Sequence, residues 1–310
     1  MLRSLVVGGT GFIGSHIANS LVSQGYEVIV IGSIKRNKSE YYLHSKIKTF
    51  FVDLSNIEQL KLCGIDWKFN LVINCCGYVD HSPFLDAFDS VIGTHLIGTL
   101  NIIKLIYSNH LTKYIHLGSS DEYGKIDYEC KESIRESPLT PYSYSKVAST
   151  YLLQMLANSE NFPSVIVRPF LVYGSNQKPN RLLPFVVQSC LKDKEFELTH
   201  GMQVRDFLYI SDFVEAINCL IQAPIEIIRG KIYNVSSGKS ISLYEVINLI
   251  VKITGGGRPQ FGKKIARKTE SQILKSNSEN FRNTFDWQPK VSLNEGISKL
   301  VKFTSQNNVN

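Results

Sequence analysis

The stretch Leu5-Val6-Val7-Gly8-Gly9-Thr10-Gly11-Phe12-Ile13-Gly14 decides the fold. An apolar run stops at a glycine cluster and then becomes a helical pattern, which predicts a strand, a tight turn and a helix start. Such a turn presents backbone N–H groups at a helix N-terminus, where the helix dipole favours an anion. The spacing G-x-G-x-x-G also permits close approach of a pyrophosphate. We therefore expect a dinucleotide phosphate to bind at Gly8, Thr10, Gly11, Phe12, Ile13 and Gly14.

Apolar runs alternate with helical patterns along the next 150 residues. The predicted strands cover residues 28–31, 47–52, 71–76, 114–117 and 164–167, and the predicted helices cover 12–24, 56–63, 84–109 (one long helix or two consecutive ones) and 143–158. This alternation indicates a parallel sheet covered on both faces. We predict an α/β fold with a Rossmann-like, doubly wound parallel sheet of six or seven strands.

The rhythm changes after about residue 170. Helices and short strands are then mixed, and Ser242 with Glu245 predicts a capping box at the start of a helix. We assign 1–170 to a dinucleotide-binding domain. Residues 171–310 would form a smaller, mixed α/β C-terminal region that binds mainly the substrate, with some strands and helices returning to the first domain.

Composition narrows the class of protein. The net charge of +7 comes from scattered Lys and Arg without a dense basic cluster, so we expect no nucleic-acid partner. Six cysteines without a C-x-x-C pair indicate reduced thiols, and we expect no metal ion. Neither a signal peptide nor an apolar stretch of membrane length is visible. These features predict a cytoplasmic protein with no membrane partner.

Ligands of such a sheet lie beyond the carboxyl ends of its strands. The candidates at these ends, besides the glycine turn, are Ser33, Lys35, Arg36, Asp53, Cys76, Gly77 and Pro169. Residues 32–36 lack the carboxylate that commonly binds the ribose 2′-hydroxyl of NAD. An arginine there can instead hold a 2′-phosphate through paired hydrogen bonds. The sequence favours NADP(H), while NAD(H) bound through the backbone, or a merely solvated basic loop, stays open.

Ser119 and Ser120 follow one predicted strand, and Tyr142 and Lys146 lie four residues apart on one helix face. An ammonium beside a phenol stabilises the phenolate, which prepares the tyrosine for proton transfer. A serine at a neighbouring strand end can hydrogen-bond the same substrate oxygen. Together with the glycine turn, this set predicts proton transfer coupled to hydride transfer with a nicotinamide.

These residues together resemble the extended short-chain dehydrogenase/reductase family of nucleotide-sugar epimerases, dehydratases and reductases. The resemblance continues through the motifs at 141–146, 168–174, 204–213 and 233–238. It implies that Tyr142 is the acid/base, that Lys146 is its partner and binds the nicotinamide ribose, and that Asp53 and Leu54 border the adenine. It further implies that Arg205 contacts the substrate diphosphate. A homodimer formed by the helices around 96–107 and 144–156 is also implied.

The sequence departs from the family pattern at two positions. His95 stands where members often have Asn, and it either replaces the hydrogen bonds of that Asn or is simply a satisfied helix histidine. Leu171 replaces another frequent Asn, so the polar contact of that residue to the substrate is lost.

The sequence Ser119-Ser120-Asp121-Glu122-Tyr123-Gly124 bears on the reaction. Ser120-Asp121-Glu122 looks similar to the triplet of 4,6-dehydratases, in which carboxyl groups eliminate water. The stretch is one residue shorter than theirs, however, and is more like that of 4-keto-6-deoxy-sugar reductases. A dissociable NADPH agrees with Lys35 and Arg36.

We therefore expect an NADPH-dependent reductase of a nucleoside-diphosphate 4-keto-(6-deoxy)hexose, in sugar biosynthesis for a surface polysaccharide. The alternative is a nucleotide-sugar 4,6-dehydratase, with Asp121 and Glu122 as acid and base, or a 4-epimerase, with tightly held NAD(P). A more distant alternative is a non-catalytic NADPH-binding regulator.

Overall fold

The fold is described from a computed structural model that covers residues 1–33, 42–107, 110–267 and 269–307. Its strands, in chain order, are β1 (Arg3–Val7), β2 (Glu27–Gly32), β3 (Lys48–Phe51), β4 (Leu71–Asn74), β5 (Lys113–Leu117), β6 (Ser164–Pro169), β7 (Leu171–Tyr173), β8 (Glu195–Glu197), β9 (Val204–Tyr209), β10 (Ile232–Val235), β11 (Ser240–Ser242) and β12 (Arg258–Gln260).

The helices alternate with these strands. In chain order they are α1 (Phe12–Ser23), α2 (Ile57–Leu62), α3 (Phe84–Ile92), α4 (Gly98–Ile106), α5 (Pro141–Glu160), α6 (Leu182–Leu191), α7 (Ile210–Gln222), α8 (Ile225–Ile228), α9 (Leu243–Thr254), α10 (Glu279–Phe285) and α11 (Leu293–Asn307). A π-helical segment, Gly93–Ile97, joins α3 to α4. A 3₁₀ turn, Ser120–Tyr123, follows β5.

A seven-stranded sheet organises the described residues, with strand order β10-β6-β5-β4-β1-β2-β3. Strands β1 to β6 pair in parallel. The central strands β1, β4 and β5 are buried along almost their whole length, which explains why they appear in the sequence as continuous apolar runs. The Rossmann-like, doubly wound sheet predicted from the sequence is confirmed.

The strand order reverses between β1 and β4, and this is where a sheet of this kind opens a crevice for a ligand. The register places Val7 beside Asn74, so the loops after β1 and β4 leave the sheet together. The Asn74 side chain donates to Thr99 Oγ1 and to Tyr114 Oη, at 2.9 Å each, and accepts from the Cys76 N–H at 3.0 Å. The end of β4 is therefore held in a fixed shape.

Helix α5 begins at Pro141, two residues before the predicted start at Ser143. The N–H of Ser143 donates to Thr140 Oγ1 at 3.1 Å, and Ser143 Oγ accepts from the Thr140 N–H at 3.0 Å. This reciprocal cap satisfies the helix start, and Pro141 has no N–H to satisfy. Tyr142 consequently lies in the first turn of the helix, with Lys146 one turn later.

The pattern predicted over 84–109 as one or two helices forms α3, the π-helical segment and α4 in succession. Residues 108 and 109 lie outside the described residues. The wider π turn contains His95, whose backbone carbonyl accepts a hydrogen bond from Ser149 Oγ on α5 at 3.5 Å. This segment therefore contacts the helix that carries Tyr142.

The chain divides into two compact units, of which the first contains Met1–Gly124, Arg135–Pro169 and Val214–Tyr233. The second contains Lys125–Ile134, Phe170–Phe213 and Asn234–Asn310. Within the second unit, β9 pairs in parallel with β7 and antiparallel with β11. Helix α9 starts with the capping box predicted for Ser242 and Glu245. The division of roles at residue 170 stays a prediction.

Candidate active site

The glycine loop after β1 has the form that a phosphate cradle requires. Gly8 has a φ of +75°, which favours glycine. A Cβ at Gly14 would lie 2.5 Å from the Gly8 carbonyl oxygen and 2.8 Å from the Gly9 Cα. No side chain caps α1, which begins after Gly11. The N–H groups of the first turn, at Phe12, Ile13 and Gly14, are thus left for an anion, and this part of the site fits a dinucleotide.

The loop packs against the ends of its neighbouring strands. A Cβ at Gly32, the last residue of β2, would lie 2.7 Å from Thr10 Oγ1. Ser33 follows Gly32, whereas Lys35 and Arg36, on which the preference for NADP rests, lie outside the described residues. The choice between NADP and NAD therefore stays a prediction.

Asp53 and Leu54 follow β3 in a turn built by side chains. Asp53 Oδ1 accepts hydrogen bonds from the N–H and the Oγ of Ser55, at 2.9 and 2.7 Å. Leu54 is buried, and its carbonyl accepts from Asn101 Nδ2 at 2.9 Å. These contacts hold the turn in place, and the role expected from the resemblance, bordering an adenine, stays a prediction.

The Lys146 ammonium joins the ends of two strands. Its Nζ donates to the Cys76 carbonyl at 3.1 Å and to the Leu117 carbonyl at 2.8 Å. Burial of the ammonium lowers the pKa of Lys146. A Cβ at Gly77 would lie 3.1 Å from this Nζ, so glycine leaves the room that the ammonium occupies. Burial also raises the pKa of the Cys76 thiol to about 11, which keeps it protonated.

The Tyr142 ring contacts two imidazole rings. Its ring centroid is 5.5 Å from that of His95 and 5.7 Å from that of His81, and both pairs are nearly perpendicular. Tyr142 is buried, with 6% of its surface exposed. The two histidines differ in what their ring nitrogens do.

His95 has both ring nitrogens engaged. Nε2 accepts from the Tyr78 N–H at 3.2 Å, so the proton is on Nδ1, which lies 2.9 Å from Ser145 Oγ. Ser145 Oγ in turn donates to the Tyr142 carbonyl at 2.7 Å. Burial lowers the pKa of His95 to about 2, so the ring is neutral. Both ring nitrogens of His95 are thus satisfied within the protein, and the choice between the two alternatives left open by the sequence stays a prediction.

Ser119 and Glu122 are the two ends of a small capping box. Ser119 Oγ accepts from the Asp121 N–H at 3.1 Å, and Glu122 Oε1 accepts from the Ser119 N–H at 2.8 Å. Ser120, the first residue of the 3₁₀ turn, is buried and takes no part in this capping box. This geometry favours Ser120 over Ser119 for a substrate oxygen, and their catalytic roles stay predictions.

Glu122 is fully buried and forms an ion pair with Arg168. Its Oε2 lies 2.8 Å from Arg168 Nη2 and accepts from Arg168 Nε at 3.0 Å and from Thr150 Oγ1 at 3.1 Å. Complete burial raises the pKa of Glu122, against the opposing effect of the Arg168 charge. The acid/base role considered for a dehydratase requires a carboxyl that is open to the substrate, whereas that of Glu122 is 0% exposed and paired; the role stays a prediction. The partner residue Arg168 belongs to the motif at 168–174, but nothing in the local sequence predicted that Arg168 would pair with Glu122.

Asp121 has a different environment from its neighbour. Its side chain is 35% exposed, and its Oδ2 lies 3.5 Å from His81 Nε2. The sequence analysis did not single out His81, which follows the strand-end candidates Cys76 and Gly77 by a few residues. Asp121 therefore contacts His81, and the His81 ring in turn packs against the Tyr142 ring. Glu122, the other carboxyl of the predicted pair, is paired with Arg168 instead.

Two further expected residues lie apart from this cluster along the chain. Pro169 ends β6 in the first unit. Arg205 is in β9 of the second unit, where its Nη2 donates to Glu270 Oε1 at 3.0 Å and its Nη1 to the Gln272 carbonyl at 3.3 Å. The contact of Arg205 with a substrate diphosphate stays a prediction.

Two searches of the described residues bear on other ligands. No group of three or more His, Cys, Asp and Glu side chains in these residues is placed to hold a metal ion. No helix within the same part of the chain is long and apolar enough to cross a membrane.

The two carboxyls of the Asp121-Glu122 pair should differ in their effect on stability. Glu122→Gln breaks a buried ion pair, and because Glu136 also pairs with Arg168 we expect a loss of about 2–4 kcal/mol in the free energy of unfolding. Asp121→Asn, the matched control, should change it by less than about 0.5 kcal/mol. Urea denaturation followed by circular dichroism measures both. Equal losses would contradict the structural role of Glu122.

His95 should contribute to acid instability. Its pKa is about 2 in the folded protein against an ordinary 6.5, so below pH 6.5 the unfolded chain binds a proton that the folded protein refuses. Each such group lowers the free energy of unfolding by about 1.4 kcal/mol for every unit by which the pH falls below its pKa in the unfolded chain. Buried His116 acts in the same direction. We expect His95→Asn to reduce the slope of stability against pH between about 6 and 4 by roughly one proton, as measured by urea titrations; an unchanged slope would refute this account.

The chain is similar to known proteins over its whole length. Residues 4–236 match the model of the NAD dependent epimerase/dehydratase family. Human dTDP-D-glucose 4,6-dehydratase is 29% identical, over 98% of this chain and 90% of its own length. UDP-glucose 4-epimerase of Mycolicibacterium smegmatis is 25% identical, over 97% of this chain and 98% of its own.

A structural comparison agrees with the fold described above. The crystal structure of dTDP-glucose 4,6-dehydratase from Bacillus anthracis in complex with NAD superposes with a TM-score of 0.85 at 22% identity, covering 100% of this chain and 98% of the other. At this identity the match supports the fold alone. With the family model matching most of the sequence, the chain belongs to the NAD dependent epimerase/dehydratase family of the extended short-chain dehydrogenases/reductases.

Proposed function

We propose that this enzyme reduces the C4 ketone of a nucleoside-diphosphate 4-keto-(6-deoxy)hexose, with NADPH as the hydride donor. The observation that carries the proposal is the burial of Glu122 in its ion pair with Arg168. A 4,6-dehydratase needs two carboxyl groups for the removal of water, and here only Asp121 is available beside the tyrosine. Ser120, Tyr142 and Lys146 suffice for proton transfer at one carbonyl or hydroxyl.

The chain's residues would hold the cofactor along the switch point of the sheet. The first turn of α1 would bind the pyrophosphate, Asp53 and Leu54 would border the adenine, and Cys76, Gly77 and Pro169 would line the crevice towards the nicotinamide. In this assignment Ser33, Lys35 and Arg36 bind the 2′-phosphate. NADPH, when bound, supplies the hydride to C4.

Each catalytic side chain has a separate task. Ser120 donates a hydrogen bond to the C4 oxygen and orients the ketone. Tyr142 gives its phenolic proton to that oxygen as the alcohol forms. Lys146, one helical turn after Tyr142, favours the phenolate that remains. Its two carbonyl acceptors fix the position of the ammonium. Arg205 would neutralise the substrate diphosphate, after exchanging its contact with Glu270.

A 4-epimerase with tightly held NAD is the second candidate. It is favoured by the M. smegmatis UDP-glucose 4-epimerase, which matches nearly the whole chain, and it requires the same Ser120, Tyr142 and Lys146. The two reactions differ in their cofactor balance: a reductase consumes one NADPH for each product, whereas an epimerase returns the hydride. The surface-polysaccharide pathway and the cytoplasmic location stay predictions from the sequence.

The proposal is tested by NADPH oxidation with 4-keto-6-deoxy sugar nucleotides. We expect stoichiometric oxidation with the wild-type enzyme. Tyr142→Phe should lower kcat by at least about 100-fold, because the proton donor is lost, while NADPH binding changes little. Tyr144→Phe, on the exposed face of the same helix, is the matched control and should keep its activity. Product formation without net oxidation of cofactor would refute the reductase in favour of the epimerase or dehydratase.

We also propose a homodimer formed through α5 and its neighbours. Tyr144, Tyr151 and Met155 are about half exposed and share one face of α5, which is unusual for large apolar side chains. Met155→Glu should shift the mass measured by light scattering from dimer to monomer. Met202→Glu changes a methionine that is even more exposed but lies in the second unit; it is the control and should leave the mass unchanged. A wild-type monomer would refute the dimer.

A further inference from the structure

His81 is the residue near Tyr142 that the mechanism leaves without a task. It follows β4 in the chain, its ring is perpendicular to the Tyr142 ring at 5.7 Å, and its side chain is 19% exposed. Neither the family resemblance nor the sequence motifs assigned it a role. His81 therefore contacts the tyrosine ring and also reaches the solvent.

Two residues near Tyr142, Lys146 one turn further along α5 and His95 beside its ring, are themselves almost fully buried. Lys146 is 4% exposed and is held by two carbonyl oxygens. His95 is 1% exposed, and both of its ring nitrogens are engaged within the protein. A proton that leaves Tyr142 is therefore not easily replaced through either of these neighbours.

His81 lies among negative charges that favour its protonated form. Asp121 Oδ2 is 3.5 Å from His81 Nε2. Asp80, the preceding residue, is close enough for electrostatic coupling, and its pKa is lowered mainly by hydrogen bonds from Ser82, with a smaller contribution from His81. Two carboxylates beside one imidazole stabilise the imidazolium, which is a proton donor with an ordinary pKa close to neutrality.

The reduction proposed above makes this proton supply necessary. At each turnover a C–H bond forms at C4 with the hydride, the Tyr142 O–H bond breaks, and the alcohol O–H bond forms. The enzyme is left as Tyr142 phenolate and must gain one proton from water before the next turnover. An epimerase has no such net requirement, because its tyrosine regains the proton when the hydride returns.

We propose that His81, oriented by Asp121, returns the proton to Tyr142 after each turnover. The imidazolium N–H bond breaks, the phenol O–H bond forms, and the neutral imidazole then takes a proton from water at the exposed side. His81 is thus a positioning and proton-supplying residue that acts through Tyr142. The inference rests on the proposed reductase activity.

The test compares His81→Asn and His81→Ala with the wild type in the NADPH oxidation assay. We expect kcat to fall about tenfold or more, with the deficit growing as the pH rises, and KM to change less than about twofold. Added imidazole should restore kcat of His81→Ala but not affect the wild type. His44→Ala, at an exposed histidine, is the control and should behave as wild type.

A second measurement does not depend on turnover. The His81 imidazole is identified in NMR spectra by its absence in His81→Asn, and Asp121→Asn should lower its pKa because a neighbouring carboxylate is removed. A wild-type enzyme without net NADPH oxidation refutes the proposed function. An active wild type with normal kcat, pH profile and solvent response in both His81 variants refutes the proton supply alone, as does an imidazole that is insensitive to Asp121→Asn.

Discussion

The geometry of the site depends on one buried cation. The Lys146 ammonium spans the carbonyl oxygens of Cys76 and Leu117, which belong to the loop after β4 and the end of β5. A buried ammonium without such acceptors would be costly. The ammonium satisfies the carbonyl groups at the two strand ends, and these carbonyls compensate for the burial of the charge. The same contacts fix α5 to the sheet one turn from Tyr142.

The cost of burying a charge without a partner also explains why the adjacent carboxylates of Asp121 and Glu122 have different environments. Glu122 closes the short turn after β5 and neutralises Arg168 beneath it, whereas Asp121 is on the side of the turn that reaches His81. A 3₁₀ turn points successive side chains in different directions. Of these two consecutive acidic residues, Glu122 is thus in the interior, and the turn after β5 leaves the carboxylate of Asp121 partly exposed beside His81.

Local signals made much of the fold predictable. The glycine turn, the spacing of Tyr142 and Lys146, and the capping box at Ser242 each depend on residues within one or two turns of chain. The relations that escaped prediction are long-range. Glu122 meets Arg168 across 46 positions, and Arg205 meets Glu270 across 65. Sequence periodicity gives the face of a helix or strand but not its partner, so it could not show that Glu122 is enclosed or that His81 adjoins Tyr142.

The π-helical segment Gly93–Ile97 also limits how this region of the sequence can change length. It contains one residue more than an α-helix would need to cover the same turn, and its position fixes the phase of α3 relative to α4. Loss of a single residue there would rotate one helix against the other by about 100°. His95 would then lose its ring contact with Tyr142. In this stretch, single-residue deletions should therefore be far less tolerated than substitutions.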